Sequence, residues 1–265
     1  QLLQKPIEQK NLSAEDRFGI IRDAFMLAQS GNKSTVEALK LVQYFKKEDE
    51  YIVWAQIASD LKTFDNLIFF EKFHDKYKKF CKEIFKQIVQ KVGWHKKEEE
   101  LHTQTLLRSI AIYSLGSYGD EKTIQKAKKL FEELTLGKAK LDSDLRGAVY
   151  NLVAENGGDK EYKKFRDMYE KTPFQEEKDR IFRALCSFKD KELLKKSLEF
   201  AFSKETRAQD RFKAVSFIWA NPIGRDLDWE YVKKNWDEIS KTFGGGHLYS
   251  RFIKPAVNFV DERKA

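Results

Sequence analysis

Apolar residues recur every three or four positions through almost the whole of this 265-residue chain, and no segment sustains the period-two alternation of a half-buried strand. A chain patterned this way folds as helices that bury their faces on one another. Breakers are rare enough to permit it, with 4 Pro and 13 Gly, and Lys, Glu, Leu and Ala are abundant helix formers. Hydrophobic residues make up 41% and aromatics 14%, enough to bury a sizeable core rather than remain disordered.

Start and stop signals divide the pattern. Ser13 with Asp16 opens a helix over 13–30, and Gly31 stops it. Ser34-Thr35-Val36-Glu37 reads as a capping box for a helix to 45, and the acidic run Glu48-Asp49-Glu50 leads a helix over 51–61. One long helix is expected over 66–91, stepping through Phe69, Phe73, Tyr77, Phe80, Ile84 and Ile88 and ending at Gly93-Trp94. Helices follow over 96–118 and 121–134, then one capped by Asp142 that carries Leu145, Val149, Leu152 and Val153, then one over 160–169. Thr172-Pro173 opens a helix to 187, Asp190 one to 202, and Thr206 to Gln209 a second capping box with a helix to 220. The most individual stretch is Asn221 to Trp236. Asn221-Pro222 stops a helix, Gly224 permits a turn, and Asp226 or Asp228 starts the next helix, which runs to 243. Trp229, Val232 and Trp236 share one apolar face there, placing two tryptophans in a core. Gly244-Gly245-Gly246 is a flexible break before a last helix over 247–260. The fold class read from this is all-α: a superhelical array of about seven antiparallel helix pairs, an α-solenoid of the HEAT or armadillo kind, whose pairs bury their faces by stacking.

The formal net charge is +8. Lysine doublets such as Lys78-Lys79, Lys128-Lys129 and Lys195-Lys196 are spread over separate helices, so they read as solvated faces; a nucleic-acid site would gather its charge. Cys81 and Cys186 lie far apart in apolar patterns and read as small buried hydrophobes in a reducing, cytoplasmic compartment. No apolar run approaches the roughly 20 residues a membrane span needs.

Catalytic motifs are missing. There is no H-E-x-x-H, no G-x-S-x-G and no phosphate-binding glycine loop, and His95 and His102 lack a third ligand, so no metal is assigned to this chain. Polar residues in otherwise apolar surroundings are the remaining candidates. Arg146 and Tyr150 share a helix turn, Glu177 can pair with Arg180 or Arg183, Gln209-Asp210-Arg211 opens a helix, and Arg251 follows the glycine break. Each reads as a structural ion pair, or as an arginine that grips a carboxylate with both arms of its guanidinium.

Several stretches, in order, resemble one family: LSAEDRFGIIRDAFMLAQSG (12–31), EDEYIVW (48–54), VGW (92–94), DLRGAVYNLVAENGG (144–158), the Gln209-Asp210 pair, NPIGRDLDWEYVKKNWDEI (221–239) and FGGG (243–246). The set is similar to the C-terminal helical domain of zinc aminopeptidases of the aminopeptidase N type, near the archaeal tricorn-interacting and endoplasmic-reticulum enzymes. The resemblance implies that residues 1–265 form a single all-helical, HEAT-like domain, a piece of a larger enzyme that begins near a domain boundary and ends short of further helices. It implies a substrate-enclosing, non-catalytic role: capping the active-site chamber, contributing to peptide binding and taking part in an open–closed motion. The zinc and its ligands would lie in the catalytic domain of the same polypeptide, which with peptide substrates would be the partner, with neither nucleic acid nor membrane. SRFIKPA (250–256) is similar to a bacterial segment whose arginine projects toward the cleft, which singles out Arg251 as substrate-binding, with Arg146 and Tyr150 as lesser candidates and more structural in character. The rival readings are a free-standing α-solenoid scaffold that binds a protein partner and, more weakly, a basic nucleic-acid binder.

Overall fold

The structure, a computed structural model, describes residues 2–244 and 250–257. Among these there are no strands, and the chain is all-α. The helices are α1 (Gln4–Glu8), α2 (Ala14–Gln29), α3 (Thr35–Val42), α4 (Tyr51–Leu67), α5 (His74–Val92), α6 (His102–Ser117), α7 (Glu121–Thr135), α8 (Ser143–Glu155), α9 (Asp159–Lys171), α10 (Gln175–Leu185), α11 (Lys191–Ala201), α12 (Arg211–Ala220), α13 (Arg225–Lys234), α14 (Trp236–Phe243) and α15 (Ser250–Val257). Short 3-10 turns follow α3 and precede α12.

The chain divides into two compact units, one of residues 1–126 and 141–148, the other of residues 127–140 and 149–265. In the first, α2 packs on α3 and α4, and α6 packs on α4 and α5. In the second, α10 packs on α9, α11 and α12, and α12 also meets α11, α13 and α15. Most of these pairs are next or next-but-one neighbours in sequence, the contact pattern of stacked helical repeats, while α12 with α15 reaches one helix further. Ile21, Val53, Ile57, Leu61, Phe85 and Leu107 are buried in the first unit, and Val149, Phe165, Phe188, Leu194 and Ile218 in the second. Cys81 and Cys186 are buried free thiols, as their apolar surroundings in sequence indicate.

Local signals placed many boundaries. Ser13 accepts from the Asp16 amide at 3.0 Å, Asp190 from the Glu192 and Leu193 amides, and Asp142 from the Asp144 amide. Gly31 and Gly93 stop their helices at φ of +74° and +64°. Several expectations need correction. Thr172-Pro173 does not open a helix, since Thr172 ends α9 and α10 begins at Gln175, and the helix expected from 96 begins at His102. The helix expected over 66–91 is two helices: α4 continues to Leu67, the chain turns at 68–73, and α5 begins at His74. Buried Asp65 at the end of α4 takes His74 Nε2 at 2.7 Å and Lys62 at 2.8 Å, fixing the corner, while Ile68 and Phe69 fill it and keep the apolar period unbroken. The helix expected over 228–243 breaks at Asn235, whose side chain bonds the Tyr231 carbonyl at 2.8 Å. Thr206 is not an N-cap; it is buried and its hydroxyl donates to the Phe200 carbonyl at 3.1 Å. At the 221–236 corner, Val232 is in the core but Trp229 and Trp236 are only half buried. Trp229 stands edge-on to Trp219 with ring centroids 5.9 Å apart.

That corner is fastened to the preceding pair. Asn221 Nδ2 donates to the Phe188 carbonyl at 2.8 Å, and its Oδ1 accepts from the Ile223 amide at 3.2 Å. Gly224 is required by space: a Cβ there would lie 2.6 Å from Ile218 Cγ2 and 2.8 Å from the Ile218 carbonyl oxygen. One turn later Asp228 is fully buried, and neither carboxyl oxygen meets a donor. Burial pushes its pKa well above the ordinary aspartate value.

The first unit holds a contrasting buried charge. Arg17 on α2 and Glu48 before α4 are 5% and 4% exposed. Arg17 Nε and Nη2 donate to the two Glu48 oxygens at 2.6 and 2.9 Å, and Nη1 donates to the Leu12 carbonyl at 2.6 Å. Glu48 Oε1 also accepts the Asp49 and Glu50 amides at 2.9 Å, holding the chain just ahead of α4. Burial raises the Glu48 carboxyl, but the Arg17 and amide hydrogen bonds outweigh it and hold it below its ordinary value.

Two expected outcomes follow from these carboxylates. Glu48→Ala strands the Arg17 guanidinium, and chemical denaturation should show a loss of about 3–5 kcal/mol; replacing both residues with apolar ones of similar volume should recover most of it. For Asp228 the folded pKa lies above the unfolded value near 3.9, so the folded state retains a proton that the unfolded chain releases. Its contribution therefore erodes stability as pH rises. Asp228→Asn should gain on the native protein by about 1.4 kcal/mol per pH unit above that value, until the folded group titrates. Denaturation curves for both proteins at pH 5 and pH 8 read this directly, and an equal difference at the two pH values would show that Asp228 is not the responsible group.

Candidate substrate-facing site

The three candidate residues occupy different surroundings. Arg146, in the first turn of α8, is half buried and its Nε donates to the Leu141 carbonyl at 3.3 Å. Tyr150, one turn on, is fully buried. Its hydroxyl donates to Glu177 Oε1 at 2.6 Å, and its ring lies edge-on to Phe131 and Phe165. Glu177 Oε2 takes Arg180 at 3.1 Å, so of the two partners offered by the sequence it is Arg180 that binds. Tyr150 therefore organises a buried carboxylate and presents no surface to a ligand in this conformation.

Arg251 is exposed. It lies at the start of α15, which packs on α12. The next residue, Phe252, is 1% exposed and joins Val215, Val232, Ile239 and Phe243 in a core cluster, with Phe202, Phe212 and Trp236 around it. Anchored Phe252 fixes the helix, and Arg251 then stands over the face of Phe212 with its guanidinium carbon 4.8 Å from the ring centroid. No carboxylate pairs with it among the described residues. A guanidinium held over a ring keeps its N–H fork directed outward, ready for a planar oxyanion.

Neighbouring charges on α12 are committed. Asp210, 6% exposed, takes Arg207 at 2.6 Å and Lys213 at 2.8 Å. Burial raises its pKa, but these hydrogen bonds prevail and leave it below the ordinary value. Lys213 also reaches Asp179 at 3.0 Å, and its pKa is raised because its two carboxylate partners overcome its burial. Arg211 lies over Phe202 at 5.6 Å and 3.4 Å from Glu238. The side chain of Gln209 lies outside the described residues. Sequence reasoning did not single out Arg183 on α10 as a free cation; it is exposed and stands over Phe217 at 5.2 Å. Only the packing of α10 and α12 shows that its partner is a ring rather than Glu177.

No group of three or more His, Cys, Asp or Glu side chains among the described residues is arranged to hold a metal ion.

A family model described as "ERAP1-like C-terminal domain" matches residues 1–265. The chain is 31% identical over 238 residues to the alanine/arginine aminopeptidase of Saccharomyces cerevisiae, covering 89% of this chain and 28% of the relative. It is 30% identical over 272 residues to aminopeptidase M1 of Arabidopsis thaliana, covering 99% of this chain and 31% of the relative. Against glutamyl aminopeptidase of Sus scrofa the identity is 28%, over 88% of this chain and 25% of the relative. The chain thus spans about three tenths of the first of these relatives, 28% of its length. It belongs to the ERAP1-like C-terminal domain family, the C-terminal domain of M1 aminopeptidases.

Proposed function

We propose that this chain is the non-catalytic, substrate-enclosing domain of a zinc aminopeptidase that removes N-terminal residues from peptides. The zinc and the hydrolytic groups belong, in this reading, to a catalytic domain of the same polypeptide. The helical domain caps the active-site chamber and takes part in its opening and closing. The buried free cysteines support a reducing, cytoplasmic setting. No described helix is long and apolar enough to cross a membrane.

The observation that carries the peptide-binding role is Arg251: exposed, stacked on Phe212, and with no ion-pair partner among the described residues. Its natural ligand is a carboxylate, either the C-terminus or an acidic side chain of a bound peptide. Arg183 on Phe217 offers the same chemistry as a second contact. Arg146 and Tyr150 would act indirectly, by holding the wall in shape.

In the full-length enzyme, Arg251→Ala should raise KM for peptides with a free C-terminal carboxylate by roughly two- to fivefold, the size of an exposed ion pair. Amidated peptides and aminoacyl-coumarin substrates should be unaffected, since neither presents that carboxylate. Unchanged kinetics on peptides of every length would remove Arg251 from the site. The chain alone should neither retain zinc nor hydrolyse aminoacyl-coumarins; measurable turnover by it would sink the non-catalytic reading.

A further inference from the structure

Helix α5 and the corner before it carry a surface that peptide enclosure does not use. Over His74–Val92 the helix has six lysines against Asp75 and Glu83, a net charge of +4 and the largest of any described helix. Its buried face is Tyr77, Cys81, Phe85, Ile88, Val89 and Val92. At 100° per residue the opposite face presents Lys76, Lys79 and Lys86, all exposed, with Lys82 on its flank. Asp75 is taken by Lys78 at 2.7 Å, and Lys91 by Asp49 at 2.6 Å. Lys76, Lys79 and Lys86 form no ion pair among the described residues, and Glu83 is the acid interspersed with them.

At the N-terminal end of this face the chain leaves apolar side chains in solvent. Leu67, Phe70 and Phe73 are 56%, 58% and 47% exposed. Leu67 ends α4, and Phe70 and Phe73 lie in the 68–73 turn spanned by the Asp65–His74 hydrogen bond; the Phe69 ring packs against both Phe70 and His74. Exposed Phe and Leu at a fixed corner, followed by a run of lysines without acidic partners, is the composition of a surface that rests on a charged lipid interface. Aromatic and aliphatic groups enter the headgroup layer while lysine ammonium groups reach lipid phosphates and carboxylates on flexible stems.

We propose that the exposed face of α5, together with Leu67, Phe70 and Phe73, docks the protein peripherally on an anionic bilayer. A nucleic acid or an acidic protein would use the lysines but would have no need of three solvent-facing apolar side chains at the corner. This surface lies apart from Arg251 in sequence and chemistry, and its proposal stands independently of the peptidase reading.

The test is co-sedimentation of the chain with vesicles of phosphatidylcholine alone or mixed with phosphatidylserine. The chain should partition onto the mixed vesicles and not onto phosphatidylcholine, and added salt should weaken it. Lys76→Gln/Lys79→Gln/Lys86→Gln should lower the partition coefficient on the order of a hundredfold. Phe70→Ser should lower it by roughly tenfold; this exposed position spares the folded core, and an unchanged thermal melt confirms that. Equal sedimentation with both vesicle types, or none with either, overturns the proposal. So does a loss caused by the lysine changes with none from Phe70→Ser, because the surface would then read charge alone, as a nucleic acid or acidic protein does.

Discussion

Arg108 reaches from α6 to the Val92 carbonyl at the end of α5, with Nε and Nη2 each at 3.2 Å, while Nη1 meets Glu100 at 2.7 Å. Only 2% of the arginine is exposed. This kind of contact is what an all-helical array depends on, because every helix end leaves carbonyl and amide groups unpaired, and close stacking shuts water away from them. The chain solves the problem repeatedly in one way: a side chain buried on one helix answers the backbone of a neighbouring corner. Ser197 does so for Leu185 at 2.6 Å, and Asn221 for Phe188 at 2.8 Å. Glu48 goes further, taking two amides ahead of α4 while neutralising Arg17. Such contacts fix where one helix ends against the next.

Asp228 is the exception that gives this rule its energetic meaning. Glu48, just before α4, and Asp228, in the first turn of α13, are both buried carboxyl groups, yet their environments act in opposite directions. Four hydrogen bonds to Glu48 favour its charged form and overcome its burial. Asp228 has only burial, so its neutral form prevails. The stabilising share of Glu48 disappears as pH falls through its folded value, whereas the cost of Asp228 grows as pH rises. Nearby Cys186 is likewise kept a neutral thiol by its burial.

These tertiary answers explain what the sequence could and could not tell. Helix ends closed by their own residues were legible: Ser13, Asp142 and Asp190 cap within three positions, and Gly31 and Gly93 take positive φ. Ends closed from a distance were not. The 68–73 turn is built of Ile68, Phe69 and Phe70, so the apolar period passes through it unchanged; its lock is a hydrogen bond between Asp65 and His74. Thr206 has the composition of an N-cap and the geometry of a buried donor to Phe200. The all-α class survived these errors because it rests on periodicity summed over the chain, not on any one boundary. Arg251 could be named from the resemblance, but its platform could not, since Phe212 faces it only once α15 has packed on α12.

The choice of Arg251 then rests on what the other arginines are already doing. Arg207 is committed to Asp210, Arg180 to Glu176 and Glu177, Arg166 to Glu170 and Glu205, and Arg225 to the Trp219 carbonyl. Drawing any of these onto a peptide would first break a contact inside the fold, and where the partner is buried, as Asp210 and Glu177 are, that leaves an uncompensated carboxylate. Arg183 and Arg251 escape that cost. Each rests on an aromatic face, Phe217 and Phe212, which orders the guanidinium while occupying none of its N–H groups. Among the described residues, a carboxylate arriving at either adds hydrogen bonds and breaks none. Among the described residues of this unit, Arg183 and Arg251 are the arginines left for the proposed peptide contact, and the family resemblance, an independent argument, points to Arg251.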